Sequence, residues 1–163
     1  MSVLRILITA PAWLSGAFVL LMAVHMTLDV VTKHFFSLPV TGTLEVVSFY
    51  YMIGIVFLPI GWLELRDRQI SVDLVHDVLP SRGRRLLRLF TGLLGIGFFT
   101  VLAIRTGHDA IRSVRIAEVA MGEATLPIWP TRLFLPLGFL CGILGIAIRL
   151  LQDLGLVRQV SDD

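Results

Sequence analysis

The sequence predicts an all-α integral membrane protein with four transmembrane helices plus a short amphipathic interfacial helix. Three observations carry that expectation: the composition, four apolar runs of matching length, and the placement of the basic residues. Apolar residues make up 56% of the 163 positions and charged residues 16%, against about 45–50% and about 25% in soluble domains. That is more apolar surface than a chain of this size can hide in its own core, so the excess must face lipid or other membrane helices. A net charge of +2 without a dense basic run gives no reason to expect nucleic acid as a partner. Cys141, inside an apolar run, is the single cysteine. It offers neither a disulfide framework nor a metal cluster and reads as a small buried hydrophobe.

The runs extend from about Pro11 to Val31, Leu44 to Leu65, Leu86 to Ile104 and Thr131 to Leu151. Each has about 20 residues, the length that crosses a hydrocarbon core about 30 Å thick. The first run has a rival reading as a cleavable signal, with Arg5 as its charged start and Ala10-Pro11-Ala12 as a cleavage site. The apolar stretch before that site is short and the run continues well beyond it, so an uncleaved anchor is expected. With no internal repeat, low-complexity tract or linker, residues 1–163 read as one four-span domain.

The basic residues set the orientation. Arg5, Arg66, Arg68, Arg82, Arg84, Arg85, Arg88, Arg149 and Arg158 fall on one side, and Lys33, Arg105, Arg112, Arg115 and Arg132 on the other. Basic residues concentrate on the cytoplasmic side, which puts the middle connection and both termini there. Trp13 and Trp62 then sit at the inner interface and Trp129 at the outer one.

Two connections carry periodicity of their own. Ile70, Leu74, Val75, Val78 and Leu79 recur at helical spacing with Asp73, His76 and Asp77 opposite, a pattern that Pro80 ends. This predicts the amphipathic helix over about 69–79, either a docking arm or a plain surface connector. After the third span, Arg105, Asp109, Arg112, Arg115 and Glu118 recur at three- and four-residue steps. That spacing predicts a solvated helical extension over about 105–121, held by ion pairs along its face.

The middles of the four spans contain no Asp, Glu, Lys or Arg. A transporter or proton relay acting alone needs ionisable groups near the midplane, and nothing here resembles a substrate, cofactor, catalytic or metal site. Asp29 and Lys33, four apart, are expected to pair locally, and His25 reads as a hydrogen-bonded packing histidine. Small residues instead form grooves of the kind that let membrane helices approach closely. Gly138, Gly142 and Gly145 lie in the fourth span, Gly92, Gly95 and Gly97 in the third, and Gly54 and Gly61 flank Pro59 in the second. The grooves serve either the four helices themselves or an interface with a second membrane protein. Pro59 is expected to kink its helix, a change tolerated where a neighbour satisfies the freed carbonyl.

Several segments together resemble the small membrane subunit of tripartite ATP-independent periplasmic (TRAP) transporters, the DctQ-like family. Leu44-Glu45 opens the second span. Glu64-Leu65-Arg66-Asp67-Arg68-Gln69-Ile70-Ser71-Val72-Asp73 closes it, with Leu79-Pro80-Ser81-Arg82 following. Pro127-Ile128-Trp129 precedes the fourth span and Pro136-Leu137-Gly138 lies inside it. The resemblance covers nearly the whole chain, and Gln69 stands where the family commonly has His.

The resemblance implies an accessory subunit in a bacterial inner membrane. It would be bound to a large multi-spanning DctM-like subunit that holds the substrate and sodium sites, and would serve a periplasmic binding protein that delivers an organic acid. On that reading the partner interface is drawn from Glu45, Arg66, Arg68, Asp73, Gly92, Gly95, Pro127, Trp129, Pro136, Gly138 and Gly142. Arg105, Arg112 and Arg115 would face the periplasmic partner. Two other classes remain in view. A haem-binding membrane anchor of a respiratory complex would need histidines on separate helices, and His25 and His108 both lie toward the outer side. A self-contained small multidrug-type exporter would need an embedded carboxylate, for which only Asp29 is available.

Overall fold

A computed structural model describes residues 2–38, 40–66, 81–122 and 125–153. The amphipathic helix expected over 69–79, with Arg68 and Asp73, lies outside them. Among the described residues four helical segments are long and apolar enough to cross a membrane: Ile8–Phe36, Thr43–Leu65, Arg85–Arg115 and Thr131–Gln152.

The first span is α1, Ser2–Phe36, and it runs unbroken through Pro11. Its more sheltered positions include Ile8, Pro11, Ser15, Phe18, Met22, His25, Asp29 and Thr32. Steps alternating between three and four residues give a 3.5-residue period, which keeps one narrow seam of a helix against its neighbours. Off that seam Trp13, Leu20, Val24 and Val30 are exposed.

The second span is one α-helix by position and four pieces by geometry. It comprises α2 (Thr43–Val46), a π-helical stretch (Val47–Tyr51), α3 (Met52–Phe57) and α4 (Ile60–Leu65). Pro59 lies at the break before α4 and has no N–H to offer the carbonyl four residues back. That carbonyl belongs to Ile55, and it accepts a hydrogen bond of 3.1 Å from the Ser15 hydroxyl of α1. The expected kink and its compensation are therefore both present, with the donor supplied across helices.

The third span is α5, Ser81–Arg115. Gly92, Ile96, Phe99, Ala103, Thr106, Ala110 and Ser113 form its sheltered seam, again at a 3.5-residue period. Thirty-five residues at 1.5 Å each give about 52 Å, so α5 is longer than a hydrocarbon core is thick. The extension expected to reach residue 121 stops at Arg115. Ala117 takes a left-handed conformation with φ of 48°, which ends a helix. Val119–Ala120 (β1) then pairs antiparallel with Leu126–Pro127 (β2), Val119 opposite Pro127. A short 3₁₀ turn, Thr131–Leu133, leads into α6, Phe134–Asp153. Pro136 falls in the first turn of α6, where a missing N–H costs no helical bond.

The helices form a row with α6 and the second span in the middle and α5 and α1 at the edges. Contacts of α6 with α5 and with α4 are the most extensive, and α1 leans on α3, α4 and α6. Phe139 of α6 links the row, with its ring 5.5 Å from that of Phe57 in α3 and 5.7 Å from that of Phe99 in α5. Such edge-to-face and tilted pairs contribute beyond their buried area.

Candidate partner-binding surfaces

The glycine grooves are filled from within the chain. A Cβ on Gly142 would come 2.8 Å from Phe99 and 3.0 Å from Ile60, and one on Gly145 2.6 Å from the Gly61 carbonyl oxygen. A Cβ on Gly138 would run into the Phe57 carbonyl, and one on Gly61 would lie 2.7 Å from the Cys141 backbone. Gly92 and Gly95 of α5 receive Leu150 and Ile146 of α6. Gly92, Gly95, Gly138 and Gly142, read from the sequence as facing a partner, thus face their own neighbours, because the close backbone approach that glycine permits is used between α6 and α4. Among the glycines, Gly16, Gly97 and Gly107 have nothing within 4 Å of where a Cβ would stand.

At the end of the bundle that holds Arg149, the buried Glu64 of α4 lies 3.9 Å from the Arg149 guanidinium of α6. Arg66 stacks over the Trp62 ring at 4.9 Å, a cation–π contact. Arg66 is thereby held beside Trp62 while remaining exposed.

The opposite end carries a cap built from two loops. The Asp29 carboxylate accepts the Val40 N–H at 2.8 Å, closing the turn between the first two spans. That is its bond in place of the local pair expected with Lys33. The hairpin is held at three points. Tyr50 donates its hydroxyl to the Pro127 carbonyl, Gly122 lies against the Glu45 carboxylate, and Arg132 donates to both Glu118 oxygens at 2.7 and 3.0 Å. Such two-pronged charge-assisted pairs fix orientation. Glu118, expected to pair along its own helix, instead reaches across the hairpin, where its carbonyl also accepts from Ile128 N–H at 2.9 Å. The buried Ser113 hydroxyl stands beside the Glu118 carboxylate, although no acceptor meets it in full hydrogen-bond geometry. Ser113 first, and Arg132 beside it, hold the Glu118 carboxyl below the usual glutamate value.

Arg105, Arg112 and Arg115 are exposed on α5 and belong to the face turned away from α6. Trp129, 37% exposed, sits where the hairpin rejoins the fourth span. Glu45, Pro127 and Trp129 are thus gathered at one end by the hairpin, and Arg66 lies at the other. The contacts of Tyr50, Ser113 and Arg132 leave no signal in the sequence, since no spacing rule links a tyrosine in a span to a hairpin 77 residues away.

His25 Nδ1 lies 3.3 Å from the Tyr51 hydroxyl, with the two rings edge to face. It is a packing histidine in the α1 seam, whereas His108 is exposed on α5. The two sit on edge helices at opposite sides of the row, so the fold does not bring them together. Among the described residues no three His, Cys, Asp or Glu side chains converge as metal ligands would.

Comparison of the curated proteins and of the solved structures with the chain finds no match. The family model for the DctQ component of tripartite ATP-independent periplasmic transporters matches residues 22–156. That match takes in the latter part of α1, the second span, α5, the hairpin and α6, so this four-span membrane protein belongs to the DctQ family, the small-subunit component of TRAP transporters.

Proposed function

We propose that the chain braces the large DctM-like subunit of a sodium-driven TRAP transporter for organic acids. The open row of helices is the observation that carries this reading. The central spans are packed on their own neighbours, while α1 and α5 expose apolar side chains along nearly their full length. A brace needs such outward faces and no midplane substrate site of its own. The outward side of α1 suits the large subunit best. Its exposed Ala10, Gly16, Ala17 and Ala23 permit close helix approach. The cytoplasmic arm, with Arg68 and Asp73, would add a second contact.

Basic-residue placement supports a bacterial inner-membrane location with both termini cytoplasmic. The hairpin cap then faces the periplasm, and Arg105, Arg112 and Arg115 offer cations there to an acidic surface of the binding protein. Removing this chain from cells that make it should abolish binding-protein-dependent, sodium-driven uptake of one organic acid, with uptake restored on re-expression. Unchanged uptake of dicarboxylates, sugar acids and keto acids alike would count against the reading.

A further inference from the structure

Two adjacent tyrosines of the second span are held by different parts of the molecule. Tyr50 donates its hydroxyl to the Pro127 carbonyl of the hairpin. The Tyr51 hydroxyl lies 3.3 Å from His25 Nδ1 of α1. Both tyrosines stand in the π-helical stretch, Val47–Tyr51, where the Met52 N–H bonds to the Val47 carbonyl five residues back. A turn of this kind takes in one residue more than an α-helical turn, is rare, and occurs frequently at functional sites.

The same stretch divides the span into a clasped part and a tethered part. On the Met52 side, α3 and α4 are gripped by other helices. A Cβ on Gly54 would run into the Phe18 ring of α1, and Gly61 lies against the Cys141 backbone of α6. Ser15 donates to the Ile55 carbonyl between them. On the Thr43 side, the four residues of α2 are held chiefly through loops. Thr43 donates its hydroxyl to the Val40 carbonyl at 2.9 Å, and the Glu45 carboxylate lies against Gly122 of the hairpin. Contact of α2 with α1 is slight. The hairpin therefore grips both the tethered part, at Glu45, and the π-helical stretch, at Tyr50.

We propose that the π-helical stretch is a register hinge, held open by the seated hairpin, that couples the hairpin to the loop between the first two spans. When the hairpin is drawn off Tyr50, Val47–Tyr51 closes to ordinary α-helical bonding. The clasped part stays in place, so the adjustment falls on α2. One residue of register turns α2 by about 100° and moves it about 1.5 Å along its axis. Glu45 then leaves Gly122, and the turn reaches the loop that the Asp29 carboxylate closes on the Val40 N–H. A small displacement at the hairpin thus becomes a discrete change at the end of α1, as in other elements with two packed arrangements. The inference stands independently of the transporter reading.

The test uses the full-length chain, with whatever partners it retains, in bilayer discs. Cys141→Ala removes the native thiol. Spin labels at Leu44→Cys on α2 and Ile104→Cys on α5 form one pair, and Leu44→Cys with Leu20→Cys on α1 a second; all three positions are exposed. A side chain about 5–6 Å from the helix axis moves about 8 Å when carried through about 100°. Tyr50→Phe should therefore populate a second distance, shifted by up to about 8 Å, in at least one pair, and adding Tyr51→Phe should enlarge it. Deleting Ser48, an exposed residue of the stretch, removes the extra residue and leaves both flanks in register. That variant should keep its thermal midpoint and show one distance whether or not Tyr50 is changed. Deleting Ile53, in the regular helix α3, should lower the midpoint. Unmoved distances in both tyrosine variants would overturn the proposal. So would a Ser48 deletion as damaging as that of Ile53, or a second distance that persists in its absence.

Discussion

The Ser15 hydroxyl donates to the Ile55 carbonyl, the acceptor that Pro59 leaves without a helical donor. One hydrogen bond thus ties α1 to the kink of the second span. Bonds of this kind between membrane helices are worth about 0.6–1.7 kcal/mol. Ser15→Ala should lower thermal stability in detergent by that amount. In a Pro59→Ala background, where the backbone supplies its own donor, the same change should cost much less. Equal costs in both backgrounds would show that the two residues are not coupled.

Glycines that look alike in the sequence should behave oppositely on substitution. Gly61→Ala and Gly145→Ala place a methyl group 2.6–2.7 Å from neighbouring backbone. Overpacking of that kind costs about 1–3 kcal/mol. Gly16→Ala and Gly97→Ala meet open space and should be neutral or stabilising by about 0.5–1 kcal/mol through helix propensity. Thermal midpoints of the four variants check the split.

The Glu118 carboxyl is held below its ordinary value of 4.5 by Ser113 and Arg132. Its contribution to the hairpin is therefore full above that value and lost as pH falls through the lower folded one. In a variant with Trp129 as its only tryptophan, indole emission should change on acidification at a pH below 4.5. Glu118→Gln should abolish that step.

Tyr50→Phe removes the bond from the second span to Pro127. A net hydrogen bond is worth about 1 kcal/mol, so hairpin amides such as Ile128 should exchange about fivefold faster. Amides of α6 should be unaffected.

Hydropathy and length were enough to find the four spans, because a bilayer fixes both quantities. Packing glycines were also legible, but not their partners. Glycines clustered on one helix face report that a backbone comes close, and say nothing about whether that backbone belongs to the same chain. The end of α5 misled for a different reason. The charge period runs on through Glu118, yet the left-handed turn at Ala117 has already ended the helix. Glu118 meets Arg132, 14 residues on. The π-helical stretch at Val47–Tyr51 left no trace in the pattern, since its residues are the apolar and aromatic ones any span would carry.

As the proposed brace of a larger subunit, this chain works as one half of a membrane pair. Its most direct test is recovery of the tagged chain from native membranes in mild detergent, with co-purifying proteins identified and quantified by mass spectrometry. One much larger multi-spanning protein in equal amount is expected. Recovery of the chain alone, or with redox subunits and a haem absorbance, would contradict it.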